Sequence, residues 1–130
     1  MIQEQGKQKA DSPNNKKIFQ VLFVITFVCV TALALMPSEK AFSFSAKDKV
    51  NHLIAYIVLS FLALLGFQTK RKTVSTIAVC FGLLCYGILI EWIQGFVGRQ
   101  SSWWDVMANI CGIIVGVVSA TATIKRKTIK

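Results

Sequence analysis

Four long apolar runs, at residues 18–36, 50–67, 74–97 and 106–124, hold a single formal charge between them, Glu91. Each is near the roughly 17–25 residues that a bilayer-spanning helix needs, the second being the shortest. An amphipathic helix of a soluble protein would show a charged face over such lengths, and these do not. Charged residues make up 16% of the chain and hydrophobic ones 54%, against about 25% and 45–50% in soluble domains. The runs predict an all-α membrane protein, a four-transmembrane-helix bundle with helices at about 18–36, 48–67, 74–97 and 105–124.

The first run has a second reading. Lys16 and Lys17 precede it and Ala32-Leu33-Ala34 has the small-x-small form of a cleavage site, as in a signal peptide. The run continues through Leu35 and Met36, long for a signal core, so it is taken as a membrane helix. Pro37 disfavours helix in the residue before it and ends the run at Met36.

Basic residues fix the orientation. The first 17 residues carry Lys7, Lys9, Lys16 and Lys17; the second connection carries Lys70, Arg71 and Lys72; the tail carries Lys125, Arg126, Lys127 and Lys130. The other two connections carry only Lys40, Lys47, Lys49 and Arg99. This positive-inside asymmetry predicts cytoplasmic termini and places loops 37–49 and 98–105 outside. The net charge of +9 then reflects anchoring to anionic lipid head groups. Nucleic acid is not an expected partner, because the basic clusters sit at helix ends without interleaved aromatics. Cys29, Cys80, Cys85 and Cys111 all fall within apolar runs without metal-site spacing, and read as small buried hydrophobes rather than a disulfide framework.

The chain divides into a polar lead at 1–17, expected to be disordered and cytoplasmic, a membrane domain at 18–124, and a basic cytoplasmic tail at 125–130. Trp103 and Trp104 stand where an outer aromatic belt would. There are no internal repeats.

Polar residues break the apolar pattern in register. Asp48, His52 and Tyr56 are spaced i, i+4, i+8 and share one helical face. Gly87, Glu91, Gln94 and Gly98 form a second face; Asp105, Asn109, Gly112 and Gly116 form a third. With helix two entering from outside, helix three leaving toward it and helix four re-entering, all three stripes converge on the outer leaflet. His52 and Asn109 each lie four residues past a charged helix start, about 6 Å in, and Glu91 about 9 Å in. Gly112-x-x-x-Gly116, continued by Ala120, is a small-residue seam for close helix packing or for helix-mediated homo-oligomerisation. It shares its face with Asp105 and Asn109, which turns that pair toward the bundle.

Three blocks carry a family resemblance: Asp48-Lys49-x-x-His52-x-x-x-Tyr56, Glu91-x-x-Gln94-x4-Arg99, and Asp105-Val106-x-x-Asn109-x-x-Gly112-x-x-x-Gly116. Together, and in this order across residues 18–124, they resemble the VanZ-like family, small bacterial membrane proteins named after an accessory teicoplanin (glycopeptide) resistance protein. Two positions depart from it: Val97 stands where a proline is expected before Gly-Arg, and Leu53 where an aromatic commonly follows the histidine. The resemblance implies a bacterial cell-membrane location and a link to glycopeptide resistance, and it names no reaction.

The residues themselves suggest a pocket for an anionic cell-envelope component, such as a lipid-linked or peptidoglycan-related ligand. His52 is the natural acid/base, since imidazole titrates near neutrality, with Glu91 and Asp105 as its catalytic partners. Arg99 and Lys49 suit a carboxylate or phosphate. Asp48, Tyr56, Gln94 and Asn109 would orient ligand atoms. Non-catalytic binding fits the same residues, as does a purely structural network joining helices two, three and four. A transporter is disfavoured because no polar residues continue through the inner half. No phosphate-binding Gly-rich loop, Gly-x-Ser-x-Gly or His-Glu-x-x-His occurs. Ser101 and Ser102 read as helix-start residues. A single histidine with Asp48, Glu91 and Asp105 could bind a metal, but no metal and no cofactor are expected.

Overall fold

The computed structural model describes residues 13–36, 45–99 and 102–129, with side chains from Lys49 onward in the middle segment. Four helices account for nearly all of it: α1 (Pro13–Ala34), α2 (Ser45–Phe67), α3 (Lys72–Phe96) and α4 (Trp103–Ile129). All four are long and apolar enough to cross a membrane. The protein is an all-α, multi-pass membrane protein.

Helix ends differ from the apolar pattern where local chemistry extends them. α1 is already helical at Pro13, the first described residue, rather than only from residue 18. Residues 13–17, expected in a disordered lead, are therefore helical; residues 1–12 lie outside the described residues. α4 runs on to Ile129 and takes Arg126 and Lys127 into its last turn, where cations offset the negative end of the helix dipole.

The helices alternate in direction, and α2 is the central one. It packs most extensively on α4 and next on α1, while the backbones of α1 and α4 do not meet. The α2–α4 seam depends on two glycines. A Cβ on Gly112 would lie 2.6 Å from the Leu53 carbonyl oxygen, and one on Gly116 would run into Ser60 Oγ and sit 2.5 Å from the Ile57 oxygen. Small residues thus bring the two backbones together within one chain. Tyr56, Leu59, Leu83 and Ile113 form the buried centre, flanked by Phe23, Phe27, Tyr86 and Val117.

α1 has no buried residue and presents Val21, Ile25 and Val28 outward. It is held by polar contacts along its length. Near its start, Lys16 Nζ donates to the Gln68 oxygen at 3.2 Å and Gln20 Nε2 to the Gly66 oxygen at 2.9 Å. These donors satisfy carbonyls at the C-terminus of α2 that have no partner within the helix. Toward its end, Thr31 Oγ1 and the Tyr86 hydroxyl are hydrogen-bonded at 2.6 Å, with the Phe27 and Tyr86 rings 4.5 Å apart.

Two ends of the bundle follow. One gathers Lys16, Lys17, the turn Lys70–Lys72 and the helical Lys125–Lys127, with Lys127 Nζ 5.8 Å from the Phe19 ring centre. At the other lie the α3–α4 connection and the exposed Trp103 and Trp104. The four cysteines form no disulfide. Cys29, Cys85 and Cys111 are exposed on the bundle exterior rather than buried, a position where lipid suits an apolar thiol.

Candidate functional site

The polar stripes of α2, α3 and α4 meet at the end of the bundle opposite the basic one. His52 comes from α2, Glu91 from α3, and Asp105 and Asn109 from α4. His52 Nδ1 and Asn109 Oδ1 are 3.1 Å apart. An amide oxygen can only accept, so Nδ1 carries the hydrogen and donates, and the other ring nitrogen, Nε2, presents its lone pair. That nitrogen faces Glu91 Oε1 at 3.9 Å. One ligating atom each of His52, Glu91 and Asp105 can be chosen so that all lie within 4.8 Å of one another. Glu91, Asp105 and Asn109 are buried, and the His52 side chain is 12% exposed.

Local structure accounts for each placement. Asp105 lies in the first turn of α4, where the helix dipole favours a carboxylate. Ser102 caps that turn: its Oγ accepts from the Trp104 amide at 3.3 Å and its carbonyl from the Asp105 amide at 3.0 Å. Ser101 lies outside the described residues. One turn on, Asn109 is 1% exposed, and its Nδ2 is buried without a hydrogen-bond partner among the described residues. Gly87 opens the space beneath: a Cβ there would be 3.0 Å from both Asn109 Nδ2 and the Tyr56 hydroxyl. Tyr56 therefore forms the inner boundary of the cluster.

Carboxylates confined to 4.8 Å of each other repel by about 3.5 kcal/mol at an effective dielectric of ~20. Such repulsion is relieved by positive charge, from cationic side chains at this end or from a metal ion, or by a proton on one of the two carboxyls. Chemically it can move a proton, hold a cation, or bind a polar group through His52 and Asn109.

A model of the VanZ/LLP1 family matches residues 3–125, nearly the whole sequence. The chain belongs to the VanZ/LLP1 family. No curated protein and no solved structure matches it.

In this VanZ/LLP1-family protein, two residues read from sequence as ligand groups have visible work elsewhere. Gln94 Nε2 donates to the Ala34 oxygen at 2.9 Å, and an Arg99 guanidinium nitrogen donates to the Leu33 oxygen at 3.2 Å. Both serve the carbonyl end of α1. Arg99 is aimed there by its backbone: Gly98 adopts φ +77° and the Arg99 amide donates to the Gln94 oxygen at 3.1 Å. This is a glycine-terminated helix end of the Schellman type. Lys49 sits at the same end of α2, partly buried. The side chain of Asp48 lies outside the described residues.

Ser60 and Thr31 were not singled out by the sequence. Ser60 is fully buried, and its hydroxyl donates to the Tyr56 oxygen at 2.7 Å beside the Gly116 seam. The spacing of Asp48, His52 and Tyr56, carried one more turn, would have found it. Thr31 carried no such periodic signal, since its neighbours in α1 are uniformly apolar.

Proposed function

We propose that this VanZ/LLP1-family protein resides in the bacterial cell membrane with both termini in the cytoplasm. Its polar cluster then lies in the outer leaflet, where it binds or acts on an anionic cell-envelope component, such as a lipid-linked or peptidoglycan-related precursor. Through that component it contributes to glycopeptide (teicoplanin) resistance. The observation that carries this reading is the gathering of His52, Glu91, Asp105 and Asn109 from three helices at one end of the bundle. The segregation of basic residues to the opposite end supports the orientation. A second reading, a polar fastener with no ligand, draws on Gln94 and Arg99, which hold α1 in place.

Substitution separates the two. His52→Gln, Glu91→Gln and Arg99→Lys are each measured for folded yield in detergent and for teicoplanin susceptibility of expressing cells. The ligand reading expects normal yield with lost resistance for His52→Gln and Glu91→Gln. Collapsed yield in all three establishes the fastener instead. Susceptibility that does not respond to expression of the unaltered protein removes the resistance link. Turnover of lipid-linked wall precursors by the purified protein then distinguishes an enzyme from a binder.

A further inference from the structure

We infer that His52, Glu91 and Asp105 form a binding site for a first-row divalent cation, Zn²⁺ or Mn²⁺, held between α2, α3 and α4. Each helix contributes one ligand, and the three ligating atoms lie within 4.8 Å of one another. Two of the three residues are buried and the third nearly so, unlike the exposed acidic clusters that are common on protein surfaces.

A second observation is independent of that clustering. The ring N–H of His52 is already committed to Asn109 Oδ1, and Asn109 is itself 1% exposed. Metal-binding histidines nearly always donate their second ring nitrogen to an oxygen in this way, which fixes the tautomer and directs the free lone pair at the ion. Here the lone pair of Nε2 points at a carboxylate oxygen 3.9 Å away. That separation is too long for a hydrogen bond. Two ligands of a tetrahedral Zn²⁺, at about 2.0–2.2 Å from the ion, stand about 3.4 Å apart. For this pair a side-chain adjustment of about half an ångström closes the gap, and for the widest of the three separations, up to 4.8 Å, about 1.4 Å does, a shift that small changes of side-chain torsion supply.

The donor set selects the ion. One imidazole and two carboxylates suit Zn²⁺ or Mn²⁺, whereas Mg²⁺ prefers oxygen and water, and Cu⁺ prefers sulfur. Three protein ligands leave a coordination position open for water or an anionic group. The cation goes beyond the function proposed above and does not depend on it, because a purely structural ion would use the same three side chains with water in the remaining position.

The test uses full-length protein purified in detergent with a histidine-free tag. The protein is stripped with a chelator, dialysed, and given Zn²⁺, Mn²⁺ or Mg²⁺ alone. Zn²⁺ or Mn²⁺ is expected to bind at roughly one equivalent and to raise the melting temperature, as a ligand of the folded state must; Mg²⁺ is not. Glu91→Gln and Asp105→Asn should weaken binding by more than about tenfold, and Asn109→Leu by about 10–100-fold, with Asn109→Asp restoring it. His52 is the single histidine of the chain, which gives a readout that survives if the variants do not fold. Carbethoxylation of His52 in the unaltered protein should slow when Zn²⁺ is present. Sub-stoichiometric binding, or a carbethoxylation rate unaffected by Zn²⁺ and Mn²⁺, overturns the site. Equal retention of metal by Asp105→Asn overturns the ligand assignment. None of these readouts involves the envelope ligand, so a negative result here leaves the resistance assay to decide that question separately.

Discussion

Adding one methyl group to Gly112 should damage both the bundle and the polar cluster. Its Cβ would stand 2.6 Å from the Leu53 oxygen and 2.9 Å from Tyr56 Cβ, where ordinary contact begins at 3.4 Å. Both obstacles are near the α2 backbone, so no side-chain rotation relieves them, and α4 must retreat by about 0.8 Å. Overpacking of this kind costs about 1–3 kcal/mol. Leu53 adjoins His52, and Asn109 lies one turn from Gly112, so the same retreat stretches the 3.1 Å His52–Asn109 bond to about 3.9 Å, outside hydrogen-bonding range. That loss adds about 0.6 kcal/mol. The control is Gly82→Ala, whose Cβ would meet nothing within 4 Å. It should be neutral or stabilising by up to about 1 kcal/mol, from helix propensity alone. Unfolding by SDS titration in mixed micelles, followed by circular dichroism, measures both. Equal behaviour of the two alanine variants would refute the reasoning, because it would mean that α2 and α4 do not meet at Gly112.

Three further outcomes follow from the same contacts. Gly116→Ala should be at least as costly as Gly112→Ala; Ser60→Ala in that background should recover only part of the loss, since the Ile57 oxygen remains 2.5 Å away. Tyr86→Phe removes the 2.6 Å bond to Thr31 and should cost about 0.6–1.7 kcal/mol, with Thr31→Val costing a similar amount and the double variant no more than either. Gln94→Leu removes the shorter of the two bonds to the Ala34 carbonyl and leaves only the 3.5 Å one from Arg99; it should increase protease cleavage near residues 35–36 while leaving the His52–Asn109 contact intact, read from the His52 ring signals by NMR.

The four helices were legible because lipid imposes its signature over whole runs: about twenty apolar residues leave few alternatives. The faces were legible too, since Asp105, Asn109, Gly112 and Gly116 repeat at helical spacing. Pairing was not. The glycine seam faced the bundle by its shared face with Asp105 and Asn109, yet which helix it meets was not legible, and only the three-dimensional arrangement shows Leu53, Ile57 and Ser60 of α2 against it. Gln94 and Arg99 carried the chemistry of ligand groups. Their bonds to Ala34 and Leu33 span 60 and 66 residues of sequence, a distance over which no local pattern operates. Within the candidate site, spacing identified His52, Glu91, Asp105 and Asn109, while the hydrogen bond that sets the histidine tautomer lies between two helices and is invisible in either.

The attachment of α1 has a mechanical consequence. Lys16 and Gln20 grip the carbonyl end of α2, while Gln94 and Arg99 grip the carbonyl end of α1 itself. Between them Phe23, Phe27 and Val30 pack against the buried centre, so the helix resembles a rod pinned at both ends and keyed between the pins. Sliding along its own axis would break both fastenings at once. Tilting about either pin breaks only one, whereas a roll between them lifts Phe23 and Phe27 off the core as well as straining the Thr31–Tyr86 bond. Peeling α1 from the bundle therefore meets the polar fastenings at its ends and the ring contacts of Phe23 and Phe27 between them.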